Sequence, residues 1–172
     1  MIVDVKDNFF QPYKFNKIKT LMCGKSFPWF FNDGVNALAE PHNFQFTHLL
    51  CIDDGINQTR ESLMWENFRD IFMARMKIKK VYRIKANLTT KTVFHKGAGY
   101  HLDYNKNEHP GNLITSILYM NTNNGYTKFK KGGKVKSVAN RMVTFDSNLE
   151  HDGYTCTNEE RRIVVNFNYI PL

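Results

Sequence analysis

Three side chains of this sequence, His101, Asp103 and His151, could together hold a metal ion. In a β-strand, alternate residues project to the same face, so the histidine and the aspartate of His101-Leu102-Asp103 can reach one ion. His151 lies in a polar loop directly after a predicted strand and offers a third ligand. Two imidazoles and one carboxylate on one face of a metal leave coordination positions open, which suits a mononuclear iron(II) ion that works on further ligands. We therefore predict these residues as the metal ligands and catalytic centre.

An arginine pair, Arg161-Arg162, precedes the last apolar segment of the chain and could hold an anion. Two faces alternate along this segment, an apolar one with Ile163, Val165, Phe167 and Tyr169, and a more polar one with Arg162, Val164, Asn166 and Asn168. This alternation directs Arg162 inward and Arg161 outward. A guanidinium inside a β-barrel needs an anionic partner, and its planar fork matches a carboxylate. We predict Arg162 as the anion-binding residue, with Arg161 as the second choice.

The secondary structure that must position these residues is predicted to change near residue 80, from helical spacing to strand-like runs. Before it, apolar residues recur at helical spacing, which predicts helices over residues 14–22, ended by Gly24, and 61–77. Aromatic runs at 27–31 and 44–50 predict peripheral strands or ordered loops. After it, short β-rich runs recur about every ten residues, which is typical of a sandwich or barrel. These runs cover residues 82–88, 92–94, 113–120, 127–129, 135–138, 142–145 and 163–169.

Glycines and length refine this outline. Lys131-Gly132-Gly133-Lys134 predicts a hairpin with a tight two-residue turn, because glycine tolerates positive φ angles.

A chain of 172 residues with a 42% hydrophobic share can form one globular domain. We predict a single domain over 1–172, mainly β with flanking helices (α+β), in which 1–80 form a helical, peripheral support region and 81–172 form the β core with the metal site.

Composition narrows the class of partner and compartment. The net charge is +8, and the basic residues cluster without a nucleic-acid-binding motif, so a solvated face is favoured over nucleic-acid binding. The three cysteines have no C-x-x-C spacing, which indicates neither a disulfide framework nor a thiolate zinc cluster. The acidic N-terminus does not fit a signal peptide, and no apolar run has membrane-spanning length. We expect a cytoplasmic protein without membrane association.

Residues 82–172 resemble the Fe(II)/2-oxoglutarate-dependent dioxygenases, in particular the prolyl 4-hydroxylase-like branch and its small members from marine phage and environmental sequences. The matching features are His101-x-Asp103, the segment Leu113 to Asn121, the step Gly125-Tyr126-Thr127-Lys128-Phe129, His151, and the terminal arginine strand. The resemblance implies a double-stranded β-helix, or jelly roll, packed against N-terminal helices. It also suggests a phage-encoded protein that acts in a host cell.

The same resemblance implies an activity and its cofactors. His101, Asp103 and His151 would ligate Fe(II), and 2-oxoglutarate would chelate the metal, with its distal carboxylate held by the terminal-strand arginine and by Tyr119. O2 would be the second co-substrate, and ascorbate would support the reaction. The products would be succinate and a hydroxylated substrate. Tyr119 also fits an alternative interpretation as a core tyrosine with a satisfied hydroxyl.

This sequence departs from the family pattern at two places, and other functions stay open. Asn124-Gly125 replaces the usual Gly-Gly, and neither arginine is followed two residues later by the family's frequent serine. A cupin-like metal enzyme of another class could reuse the triad without needing a buried arginine. A basic nucleic-acid-binding module with a structural metal site is the third hypothesis.

The substrate is the least determined part of the prediction. The prolyl hydroxylase resemblance favours a peptidyl proline or another protein side chain, and a small molecule is the alternative. We predict that residues 104–109 face the substrate, because selectivity lies in loops around such a site. Of the other histidines, His42 and His48 lack a spaced partner and are expected to be packed or exposed, His95 enters the site region, and His109 lies in the predicted substrate loop.

Overall fold

Antiparallel β-strands make up most of the regular secondary structure in the described part of this chain. The computed structural model describes residues 3–34, 43–53, 59–103 and 112–172. Within these ranges the strands are β1 (Asp4–Lys6), β2 (Phe30–Asn32), β3 (Gln45–Asp53), β4 (Thr59–Glu61), β5 (Ile78–Thr90), β6 (Ile114–Tyr119), β7 (Tyr126–Phe129), β8 (Lys134–Lys136), β9 (Arg141–Asp146), β10 (His151–Tyr154) and β11 (Arg161–Pro171). The helices are α1 (Pro12–Met22) and α2 (Glu66–Met76).

Each helix buries one stripe of apolar side chains. In α1 the buried residues are Phe15, Ile18 and Met22, and Pro12 at the first turn costs no hydrogen bond there. This confirms the first predicted helix, which ends just before Gly24. Neither helix in the described ranges is long and apolar enough to span a membrane.

The second helix is shorter than the predicted 61–77. It begins at Glu66 because Glu61 already pairs with Cys51 as the last residue of β4, and the Ser62 amide bonds to the Leu50 carbonyl. It ends where Lys77 adopts a left-handed conformation with a φ of 50°.

The larger sheet has eight strands in the order β1-β9-β6-β11-β5-β3-β2, with β4 paired to β3. Four of these strands, β1 to β4, come from the region before residue 80, so this region adds strands to the sheet besides the two helices. The aromatic run at 44–50 forms most of β3, which lies inside the sheet between β5 and β2. Phe46 pairs with Leu88 and Cys51 with Ile84 of β5, so this segment is a strand, as one of the two predicted alternatives has it, but not a peripheral one.

The smaller sheet has three strands in the order β10-β7-β8. Strands β7 and β8 form the predicted hairpin, but its turn is longer than two residues, because the Phe129 amide bonds to the Gly133 carbonyl across it. Only Gly132 of the two glycines has a positive φ, of 144°.

The two faces of the larger sheet bury different cores. One face packs against the helices, and Phe167 of β11 meets Phe72 of α2 with ring centroids 4.9 Å apart. The opposite face packs against the smaller sheet, where Phe129 of β7 meets Phe145 of β9 at 5.0 Å. Two antiparallel sheets with helices on the outer face confirm the predicted mainly β, double-stranded β-helix fold with flanking helices.

Residues 92–94 form no strand, contrary to the prediction. Strand β5 ends at Thr90, and Val93 and Phe94 point into solvent with 84% and 82% of their surface exposed. Their β-branched and aromatic side chains are typical of a strand, but none of the described strands pairs with them.

Phe72 tests the core between α2 and the larger sheet. It is fully buried among Phe10, Trp65, Phe68 and Phe167, so Phe72→Ala should lower the free energy of unfolding by about 3–5 kcal/mol in urea denaturation. Phe94→Ala is the matched control and should change it by less than about 0.5 kcal/mol, since the ring is exposed. Equal effects of the two changes would contradict the described packing.

Candidate metal centre and adjoining cavity

A backbone bridge brings the two histidines of the predicted triad together. His101 and His151 exchange both amide-to-carbonyl hydrogen bonds, each 3.1 Å long, and their rings lie 4.8 Å apart. His101 therefore lies in an isolated bridge instead of the regular strand that the spacing predicts. His151 is the first residue of β10, whereas the sequence places it in a loop. The pairing of these residues, and not strand alternation alone, creates the cluster.

The three predicted ligands offer their donor atoms within 4.8 Å of one another. Each histidine places Nδ1 against a carbonyl oxygen, His101 at 3.1 Å from Gly99 and His151 at 3.0 Å from Leu149. Because a carbonyl only accepts, each Nδ1 must donate, which leaves the Nε2 lone pair free for a metal. His151 Nε2 lies 3.8 Å from Asp103 Oδ2.

Asp103 is a buried carboxylate held by three neighbours. Arg83 Nη2 lies 3.1 Å from Oδ1, while Asn168 Nδ2 and Thr115 Oγ1 donate to Oδ2 at 3.0 and 3.3 Å. Burial alone would raise the pKa of Asp103, but the charge of Arg83 and the Asn168 hydrogen bond outweigh burial and hold that pKa well below its usual range. Asp103 is thus ionised at neutral pH.

Burial lowers the pKa of His151, which keeps its imidazole neutral. Neutral imidazoles and an ionised carboxylate are the protonation states that a metal requires. A set of two such imidazoles and one hard carboxylate, with both rings oriented by carbonyls, fits iron(II). The described residues therefore fit the predicted metal.

Arg162 lies in the same cavity, buried on the inner face of β11. Its guanidinium donates to Ser137 Oγ at 2.9 Å and to Thr127 Oγ1 at 3.1 Å, and it lies 5.5 Å from the centre of the Tyr119 ring. In the described part of the chain no carboxylate lies within 4.0 Å of it, and burial lowers the pKa of Arg162. A buried cation without an anionic partner is costly, so the cavity is ready to receive an anion.

Arg161 lies on the other side of the strand. It is exposed, and its Nη2 donates to the Cys23 carbonyl at 2.9 Å. Ile163, Val165, Phe167 and Tyr169 pack with the helices, which confirms the predicted alternation of β11.

Tyr119 is fully buried next to Arg162. Its hydroxyl donates to Thr127 Oγ1 at 2.8 Å, the same oxygen that accepts from the arginine. Gly125 lies against this group, because a Cβ there would come within 2.8 Å of Arg162 Cδ and 2.9 Å of the Tyr154 carbonyl oxygen. The glycine of the Asn124-Gly125 step thus makes room for the arginine.

The cavity that joins the metal ligands to Arg162 has a volume of about 230 Å³. Sequence reasoning missed one wall of it, the polar face of β5, which presents Arg83, Lys85, Asn87 and Thr89. Its signal was present, because these residues alternate with the buried Tyr82, Ile84, Ala86 and Leu88. The sequence predicts only a β-rich run here, and in the structure its period of two separates the cavity-facing residues from the buried ones.

The other two described histidines, His48 and His95, take no part in the cluster. His48 is buried and bonds to the Pro28 carbonyl and Ser62 Oγ, and His95 Nδ1 bonds to the Thr155 carbonyl. His42, His109 and the predicted substrate loop at 104–109 lie outside the described residues.

Comparison with solved structures shows a shared fold. An oxidoreductase of the 2OG-Fe(II) oxygenase family from Burkholderia pseudomallei is 13% identical, over 97% of this chain and 84% of that one, with a TM-score of 0.64. A Trichoplax adhaerens prolyl hydroxylase, solved with a hypoxia inducible factor peptide fragment, is 12% identical, over 97% and 83%, with a TM-score of 0.62. The viral collagen prolyl hydroxylase of Paramecium Bursaria Chlorella virus-1 is 12% identical, over 100% and 97%, with a TM-score of 0.56.

Comparison of the sequence with protein-family models matches one segment of the chain. No curated protein matches this chain. Residues 90–170, which contain the triad, Tyr119 and both arginines, match the family model described as the 2OG-Fe(II) oxygenase superfamily. This match confirms the predicted resemblance to the Fe(II)/2-oxoglutarate-dependent dioxygenases, and with the shared fold it indicates an oxygenase enzyme.

Proposed function

We propose that this protein hydroxylates its substrate with Fe(II) and 2-oxoglutarate, and that it releases succinate. The observation that carries the proposal is a buried arginine that has no carboxylate partner among the described residues and lies in the same cavity as a His-Asp-His cluster. A cupin-like metal enzyme of another class would need the cluster but not the arginine. When bound, Fe(II) and 2-oxoglutarate supply the activation of O2, and ascorbate keeps the iron reduced.

In this proposal the chain's own residues bind and orient the reactants. His101, Asp103 and His151 hold the metal, and Arg83, Asn168 and Thr115 hold Asp103 in place. The backbone bridge fixes both imidazoles, so the ligands need little reorganisation when the metal binds.

Arg162 binds the distal carboxylate of 2-oxoglutarate, and Tyr119 and Thr127 orient the guanidinium. Thr89 lies opposite Arg162 in the β5–β11 pairing, and its buried hydroxyl has no partner among the described residues. This hydroxyl supports a ligand oxygen at the same end of the cavity.

Similarity to prolyl hydroxylases makes a peptidyl proline one candidate substrate, and a small molecule is another. The prolyl hydroxylase from Trichoplax adhaerens was solved with a peptide fragment bound. The likeness at 12% identity extends to the fold, so the choice between peptide and small molecule must come from this cavity.

Loss of a metal ligand tests the oxygenase activity. With Fe(II), ascorbate and 2-oxoglutarate, the wild type should form succinate, and His101→Ala should reduce it to background, because one of three ligands is gone. His95→Ala is the control histidine and should keep the wild-type rate, since His95 bonds only to the Thr155 carbonyl and contacts the Tyr126 ring among the described residues. Wild-type succinate no higher than that of His101→Ala would refute the proposal.

The two arginines give a matched pair for the co-substrate. By calorimetry in the presence of Mn(II), Arg162→Met should weaken 2-oxoglutarate binding at least about 30-fold, since a buried charge partner is lost. Arg161→Met should bind like the wild type, because that side chain is exposed and faces the helices. Weakening confined to Arg161→Met would overturn the assignment.

Gly125 tests whether the position of Arg162 matters apart from its charge. Gly125→Ala should displace the guanidinium and weaken 2-oxoglutarate binding about tenfold or more, while Mn(II) affinity stays within about twofold, because the metal ligands do not contact Gly125. Gly133→Ala is the control, since a Cβ there meets no atom within 4 Å. Unchanged 2-oxoglutarate affinity in Gly125→Ala would show that the close approach is not needed.

A further inference from the structure

Lys85 is a cation of the cavity that neither the metal site nor the proposed co-substrate site uses. It is half-buried on the inner face of β5, and its ammonium has no hydrogen bond or ion pair with any residue in the described ranges. Burial, with the neighbouring charge of Arg83, lowers the pKa of Lys85 to about 8, and the charge of Asp103 opposes this only in part. The site therefore holds a partly desolvated lysine whose charge is only partly offset, which is an unfavourable state unless a ligand supplies an anion.

Asn166 lies directly opposite Lys85 in the pairing of β11 with β5. Its Oδ1 atom is buried and has no hydrogen-bond partner in the described part of the chain. Buried acceptors are nearly always satisfied, so this oxygen indicates a missing donor. A free cation and a free acceptor thus stand side by side on one wall of the cavity.

This pair lies apart from the end of the cavity that holds Arg162. Arg162 pairs with Thr89, four residues along β5 from Lys85, which corresponds to about 13 Å of strand. In the opposite direction along β5, Lys85 is two residues from Arg83, and Arg83 contacts the metal ligand Asp103. Lys85 therefore faces the cavity near the metal, where the group to be oxidised must enter.

The charge of the described cavity lining favours an acidic substrate. Four cationic side chains, Arg83, Lys85, Lys96 and Arg162, face the cavity against the single carboxylate of Asp103. A bound divalent metal and a dianionic co-substrate cancel each other's charge and leave this excess in place. A neutral prolyl ring beside Lys85 would leave the buried ammonium unpaired.

We propose that Lys85 binds a carboxylate of the primary substrate and that Asn166 Oδ1 accepts a hydrogen bond from an adjacent N–H or O–H group of it. The inference rests on the proposed function, whose primary substrate it narrows to an acid. A carboxylate is favoured over a phosphate, because one free ammonium matches a monoanion and phosphate recognition commonly uses an arginine fork or several donors.

The test uses two small probes that differ only in charge, N-acetylglycine and N-acetylglycinamide. Both carry an N–H donor, and only the first carries a carboxylate. Each is titrated into the Zn(II)-loaded full chain, with and without saturating 2-oxoglutarate, and binding is followed by NMR chemical shifts. The variants are Lys85→Met, Lys85→Arg and Asn166→Leu, with Lys79→Met as the control for an exposed lysine of the same strand.

With 2-oxoglutarate bound, the wild type and Lys79→Met should bind the acid at least about tenfold more tightly than the amide. Lys85→Met should abolish that preference, Lys85→Arg should retain part of it, and Asn166→Leu should weaken both probes. The 2-oxoglutarate affinity of Lys85→Met should stay within about threefold of the wild type.

Equal binding of the two probes to the wild type, or an unchanged preference in Lys85→Met, would overturn the proposal. Loss of 2-oxoglutarate binding in Lys85→Met would also overturn it, because the carboxylate on Lys85 would then belong to the co-substrate. Failure of the proposed function is a separate result, seen as no 2-oxoglutarate binding to the wild type. In that case the probe preference measured without 2-oxoglutarate still decides whether Lys85 binds an acid.

Discussion

The antiparallel pairing of β11 with β5 determines which side chains enter the cavity. Both strands lie in the middle of the larger sheet, with helices on one face and the smaller sheet on the other. Because strand residues alternate, packing Phe167 against α2 directs Asn166, Asn168 and Arg162 to the opposite side. A shift of one residue in either strand would bury apolar residues in the cavity and place the charged ones against the helices. The core thus fixes the chemistry of the site.

The resulting cavity contains charges that the described protein compensates only in part. Asp103 is fully provided with partners, from Arg83, Asn168 and Thr115. Arg162 is surrounded by hydroxyl groups and an aromatic ring but has no anionic partner among the described residues. The Lys85 ammonium has neither a hydrogen-bond partner nor an ion-pair partner among the described residues. Buried cations of this kind destabilise a fold unless ligands offset them. The uncompensated charges therefore lower the stability of the fold at the positions where we propose that 2-oxoglutarate and an acidic substrate bind.

Sequence alone predicted the parts of this site that depend on local periodicity. The alternation of the last strand correctly separated Arg162 from Arg161, and the β-rich runs after residue 80 predicted the sheets. It failed where long-range pairing decides the structure. His101 is positioned by its bridge to His151, and the segment at 44–50 by its place between β2 and β5, and neither contact leaves a local pattern. Arg83 and Lys85 are not predicted as site residues although they alternate with buried residues, because nothing in the local sequence of β5 shows which of its faces lines a cavity.

We propose that one cavity holds a metal at the His-Asp-His cluster and a carboxylate at Arg162. Paramagnetic relaxation of ¹³C-labelled 2-oxoglutarate in the Mn(II)-loaded protein measures this directly, with the label at either end of the molecule. The account predicts much faster relaxation for the keto-acid end than for the distal carboxylate, since only the first lies at the metal. Equal relaxation of the two ends, or the reverse order, would contradict it.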